Sequence, residues 1–277
     1  MTPASEPSRQ TDDPRAGRKP RRSRVSRSLL VAACGGVVLV AAAVFTGWWT
    51  ARPLPDFAAY EVVDERKEAF FSYLAPLVQR ENERVRAQRT RLLAIERDLL
   101  ADGRIGWADR RWLRALAAEY EVEYDRDAPG EAVAMLEPRV DTVPVALALV
   151  QAAAESAWGR SRFAREGNNL FGQWCYVEGC GIVPNRRGEG RIHEVAAFES
   201  PAESVARYIN NLNTHPAYAP LRAIRASLRE AGQRPRALAL ADGLIRYSER
   251  REDYVEEVKA VIRANRPLID RVLEEQG

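Results

Sequence analysis

The stretch AAAESAWGRSRFAREGNNLFGQW, residues 152–174, sets one carboxylate, Glu155, behind three alanines and ahead of a loop of glycine, asparagine and aromatic residues. Ala148, Gln151, Ala152 and Glu155 recur at spacings of three and four, which on a helix makes one face. That face is built of small residues, so the acid extends a sheltered surface rather than a solvated one. A carboxyl held there has its charged form disfavoured and its pKa raised, the property a general acid needs near neutral pH. On position alone, a partly exposed helix-end glutamate, or a buried one satisfied by hydrogen bonds, is the competing reading.

The helix that must carry this acid is expected from about Pro144 to Trp158, with proline in its first turn, Asp141 or Thr142 as caps, and Gly159 as its stop. Upstream, from about Asp64 to Leu100, apolar residues at Phe70, Phe71, Leu74, Leu77, Val78, Val85, Leu92, Leu93 and Ile95 alternate with charges. This predicts one or two amphipathic helices. The pattern breaks at Gly103 and Gly106 and resumes near Asp109. No chemical motif lies in this half, which reads as a stalk or packing subdomain.

Charge is unevenly placed. Residues 1–27 hold eight basic and three acidic side chains, a net of +5, which leaves 34 basic and 36 acidic residues in the remainder, a net of −2. The basic pI belongs to a tail, and the body offers no field for nucleic acid. Residues 28–51, SLLVAACGGVVLVAAAVFTGWWTA, are uncharged and long enough as a helix to cross a bilayer. The basic cluster before them predicts a cytoplasmic N-terminus, with everything after Arg52 outside the cytoplasm. A cleaved signal peptide competes, but Trp48 and Trp49 are poor cleavage-site residues.

The run from Gln151 to Trp174 resembles the central motif of bacterial N-acetylglucosaminidases of glycoside hydrolase family 73. The matching residues are Glu155, Ser156, Trp158, Gly159, Ser161, Phe163, Ala164, Asn168, Asn169, Leu170, Phe171 and Gly172. FESPAESVARYINNLNTHPAY and YSERREDYVEEV resemble later segments of that family, so the likeness covers about residues 140–272, nearest the membrane-anchored Bax-like subgroup. The resemblance implies a mainly α architecture: a lysozyme-like α+β domain at 140–277 with a small β-hairpin lobe. Before it would come a helical leader at 52–139, one transmembrane helix at 28–51 and a disordered basic tail at 1–27. It implies action on the β-1,4 bond after N-acetylglucosamine in peptidoglycan glycan strands, with Glu155 as general acid.

The hairpin is expected over Gly181–Pro184 and Arg191–Phe198. The family's second carboxylate sits on the first of these strands, where this sequence has Val183, Pro184 and Asn185. Glu194 and Glu189 are the available substitutes, Glu194 favoured because a strand places a side chain more firmly than a glycine turn. If neither approaches Glu155, the substrate's acetamido group is the alternative nucleophile. Tyr247 matches a family tyrosine expected to orient that group or the water. A glycan groove needs aromatics beside amides, which nominates Asn169, Phe171, Trp174 and Tyr254, with Trp158 shielding the acid. Outside the cytoplasm, Cys175 and Cys180 around YVEG point to a disulfide. Two ligands are too few for structural zinc, and His193 and His215 add no ligand spacing, so neither metal nor cofactor is expected. Two rival readings stand beside the glucosaminidase: a lytic transglycosylase, which needs no water-activating base, and a catalytically silent peptidoglycan-binding protein.

Overall fold

The computed structural model describes residues 53–185 and 193–276. The expected tail, the membrane span at 28–51 and Glu189 lie outside those residues. Among the described residues, no helix is long and apolar enough to cross a membrane.

Of the one or two helices expected in the leader, the structure has one, the unbroken 40-residue α1 (Val63–Asp102). Its stripe of Phe70, Phe71, Leu74, Leu77, Val78, Val85, Leu92 and Ile95 is buried, as the spacing of three, four and seven requires. Gly103 ends it in a left-handed conformation, returning its N–H to the Leu99 carbonyl. Two shorter helices follow, α2 (Trp107–Glu119) and α3 (Pro129–Leu136), the latter opened by its proline.

Helix α4 (Val145–Ser156) is the centre of the molecule. Every residue from Leu147 to Ala153 is buried, so the helix is covered on all sides. It is packed by α1, by the short α8 (Ala237–Ala241) and by α9 (Glu252–Glu274). Between them the chain forms α5 (Arg162–Gly167), α6 (Pro201–Thr214) and α7 (Ala219–Glu230). Helix α6 starts at a capping box: the Ser200 hydroxyl accepts from the Glu203 N–H, and the Glu203 carboxylate accepts from the Glu199 N–H.

Three short strands make a side lobe: β1 (Trp174–Cys175), β2 (Gly181–Ile182) and β3 (Glu194–Ala196), antiparallel in the order β1-β3-β2. The expected hairpin is β2 with β3, and Trp174–Cys175 adds a strand too short to carry any alternation in sequence.

One hydrophobic core runs from Phe57 through α1, α4 and α6 to Val272 in α9. The expected boundary between a leader and a domain at residues 139 and 140 falls inside that core. Close to the boundary lies a buried ion network. The Arg225 guanidinium donates to the carbonyls of Pro138, Arg139, Asp141 and Thr142, and Arg229 donates twice to the Asp141 carboxylate at 3.0 and 2.8 Å. It ties α7 to the turn that enters α4. A cavity of about 710 Å³ flanks it, lined by Arg86, Arg89 and Glu137 among others, at the end of α4 opposite the acid.

Candidate active site

Glu155 is the penultimate residue of α4. The helix stops two residues earlier than its apolar pattern suggests, because Ser156 closes it from within. The Ser156 hydroxyl donates to the Ala152 carbonyl at 2.6 Å and accepts from the Gly159 N–H at 2.8 Å. Ala157, Trp158 and Gly159 then all take positive φ, 52°, 62° and 75°. Two of these are not glycine, so the turn holds backbone strain that its surroundings must sustain. The third has to be glycine: a Cβ there would lie 2.4 Å from the Phe57 ring.

The turn also corrects the reading of Trp158. Being outside the helix, it does not share a helical face with Glu155. Its ring packs on Phe70 and Phe71 of α1, with centroids 5.8 and 5.2 Å apart, and Lys67 lies over it at 5.8 Å. Trp158 thus clamps the end of the acid-bearing helix to the leader.

Glu155 itself is half-buried and held by a chain of hydrogen bonds. The Tyr254 hydroxyl donates to its Oε1 at 2.9 Å. The Gln151 amide, one turn back on α4, donates to that hydroxyl at 3.0 Å, and its oxygen accepts from the Tyr208 hydroxyl at 2.6 Å. Burial raises the Glu155 pKa, the Tyr254 hydrogen bond and the charge of Arg250 pull it down, and Glu257 pushes it up; the net direction is up. Oε2 faces Gly172, at 3.6 Å from where a Cβ on that exposed, left-handed glycine would stand.

Tyr254, nominated for the sugar, is therefore a direct partner of the acid. Tyr247, nominated for chemistry, spends its hydroxyl elsewhere: its ring stacks on Tyr254 at 5.4 Å, and its hydroxyl donates to the Phe171 carbonyl. Arg250 sits over the other aromatic neighbour, Tyr254, at 5.8 Å and is paired with Glu257 at 2.6 Å.

Two residues nominated for sugar binding are buried. Asn169 is 1% exposed and spends its amide on the Gln173 and Ala196 carbonyls, while its oxygen accepts from the N–H groups of Phe171 and Gln173. It therefore folds the loop that carries Gly172. Phe171 is 2% exposed and stacks on Tyr208 at 3.9 Å, deep in the core. Trp174 is different: it is 54% exposed and rests on His193 at 4.4 Å, a flat apolar face open to a ligand.

Cys175 and Cys180 are joined in a disulfide, their Cα atoms 6.2 Å apart, and close the end of the lobe. Glu194 lies beside them, within 4.8 Å of both sulfurs. It is 4% exposed, and its two oxygens accept from the N–H groups of Gly179 and Gly181. The pairing of Cys175 with Glu194 across β1 and β3 turns this acid toward the loop, where it holds backbone. Its strand position was correctly legible, but the side of the strand was not.

Sequence reasoning passed over Tyr208 and the partner role of Gln151. Gln151 showed a signal, four residues before Glu155 on the same face. Tyr208 showed only its place within a family-like segment.

A family model described as mannosyl-glycoprotein endo-beta-N-acetylglucosaminidase matches residues 131–267. Protein bax of Escherichia coli (strain K12) is 35% identical over 216 residues, 78% of this chain and 76% of that protein, a likeness longer than the domain match. No solved structure matches the chain. With α4, its acid and the tyrosine of α9 all inside the matched segment, the chain belongs to the glucosaminidase-domain family, as a Bax-like member.

Proposed function

We propose that the protein is an endo-β-N-acetylglucosaminidase that cuts the β-1,4 bond after N-acetylglucosamine in peptidoglycan, with Glu155 as the general acid. The observation that carries this reading is a half-buried carboxyl of raised pKa at the end of the central helix, one oxygen held by Tyr254 and the other facing an exposed glycine. A proton on that carboxyl at working pH is what the departing glycosidic oxygen needs. Trp174 is the sugar platform in this reading.

The engagement of Glu194 by Gly179 and Gly181 favours the substrate's acetamido oxygen as the nucleophile of the first step. In that step the acetamido oxygen bonds to the anomeric carbon as the glycosidic bond breaks, and Glu155 passes its proton to the leaving oxygen. Water then opens the cyclic intermediate and returns a proton to Glu155. The same observation keeps a lytic transglycosylase as the second reading.

Purified peptidoglycan digested with the protein and with Glu155→Gln separates the readings by mass spectrometry. Reducing N-acetylglucosamine ends, reduced at least about 100-fold by the substitution, are expected. Anhydro-muramoyl ends would give the reaction to the transglycosylase, and sacculus binding with no released sugar would make this a binding protein.

The disulfide and the apolar run at 28–51 support a membrane-tethered enzyme facing an oxidising compartment. A C-terminal alkaline phosphatase fusion, active only when exported, tests that placement; an inactive fusion would overturn it.

A further inference from the structure

The chain of hydrogen bonds behind Glu155 has two possible directions. Each phenol has one proton to give, and an amide donates from one end and accepts at the other. In the observed direction Tyr208 donates to the Gln151 oxygen, the Gln151 amide donates to the Tyr254 oxygen, and Tyr254 gives its proton to Oε1 of Glu155. Oε1 is then an acceptor, and a neutral Glu155 carries its proton on Oε2. In the reverse direction Glu155 donates from Oε1 to Tyr254, Tyr254 donates to the Gln151 oxygen, and the flipped amide donates to Tyr208. The acid's proton then points into the protein, away from any substrate.

Tyr208 decides between the two. Its ring is buried against Phe171, and the one hydrogen bond its hydroxyl makes among the described residues is to Gln151. Reversal would leave that buried hydroxyl proton without an acceptor, which disfavours the reverse direction by about 5- to 150-fold. Gln151 is wholly buried and its amide faces a phenol at each end, so it transmits the choice.

We propose that Tyr208 and Gln151 are positioning residues that set the direction of this relay, so that the proton of Glu155 is presented on Oε2, the oxygen facing Gly172. This rests on the glycosidase reading for its catalytic consequence, but the relay itself does not. The charged groups acting on Glu155 from outside it are Arg250 and Glu257, and the phenols of Tyr218 and Tyr247 stand behind Tyr254.

The test compares the protein with Tyr208→Phe, Gln151→Met and the double variant, using carboxyl carbon NMR to titrate Glu155 and peptidoglycan digestion to follow turnover. Removing the Tyr208 hydroxyl frees the reverse direction, which is open only to neutral Glu155, so the pKa of Glu155 rises and the alkaline limb of kcat/KM moves up. At the same time kcat falls by about twofold or more with no rise in KM, and the double variant behaves as Gln151→Met alone. A merely structural loss would lower kcat without moving the titration. An unmoved or lowered Glu155 pKa in Tyr208→Phe overturns the inference, as do losses that add in the double variant. Should Tyr208→Phe not fold, Tyr208→Leu, which removes the same hydroxyl, carries the same titration with the same expected rise. If the parent protein releases no ends, the glycosidase reading falls, and the NMR titration still rules on the relay.

Discussion

Glu155 titrates high because burial penalises its charge, and the pull of the Tyr254 hydroxyl and of Arg250 does not cancel that penalty. A carboxyl whose folded pKa lies above its unfolded value costs stability as pH rises through the folded pKa. Glu155→Gln should therefore melt higher than the parent at pH 7, with the difference fading below about pH 4, the unfolded range. Thermal melts across pH check this, and a lower melting temperature at pH 7 would contradict it. Tyr254→Phe removes the hydrogen bond that favours the charged form, so the alkaline limb of kcat/KM moves to higher pH; a pH–rate profile reads this directly. At this scale the sequence disclosed one side of each contact. The i, i+4 spacing put Gln151 and Glu155 together, but their partner Tyr254 is 99 residues from Glu155, and no local pattern reports that distance. The burial of Asn169 and Phe171 was hidden for the same reason: an amide and a ring beside a glycine serve loop folding as readily as sugar binding.

Among the elements, the end of α4 is the part most exposed to single changes. Gly159→Ala would force a side chain into a left-handed position and against the Phe57 ring, at a cost of about 2–4 kcal/mol, measurable by urea unfolding. Because that turn ends the helix bearing Glu155, activity should fall more than the loss of folded protein explains. The lobe is held by shorter means, two- and three-residue strands and the Cys175–Cys180 bond. Replacing both cysteines with serine should leave the helical circular dichroism intact and raise KM, because Trp174 adjoins the bridge. The long helices were legible in sequence, since Phe70 to Ile95 repeats an apolar stripe over many turns. The premature end of α4 was not, because Ala157 and Trp158 carry no mark of the left-handed backbone that Ser156 and the Phe70–Phe71 contact sustain.

Across the whole molecule, stability leans on the network at Asp141. Burial alone would raise its pKa, but the Arg229 hydrogen bond, the charges of Arg225 and Arg89 and the Thr142 N–H outweigh it and hold the carboxyl below its usual range. A depressed carboxylate contributes stability above its unfolded pKa and loses it as pH falls through the folded one. Asp141→Asn should thus cost about 3–5 kcal/mol at neutral pH, leaving Arg225 buried without its counter-charge, and progressively less as pH falls below about 3.9, the unfolded range. Denaturant melts at both pH values check the sign. In the sequence the leader reads as a stalk or packing subdomain because its apolar stripe contains no chemistry; its packing partners are invisible to that kind of reading. In the folded chain Phe57, Phe70 and Phe71 roof the turn behind Glu155. A fragment trimmed to residues 131–267 would therefore be born with an open aromatic wound along α4 and Trp158, prone to clump on expression, and the smallest soluble version of this protein has to begin ahead of Phe57.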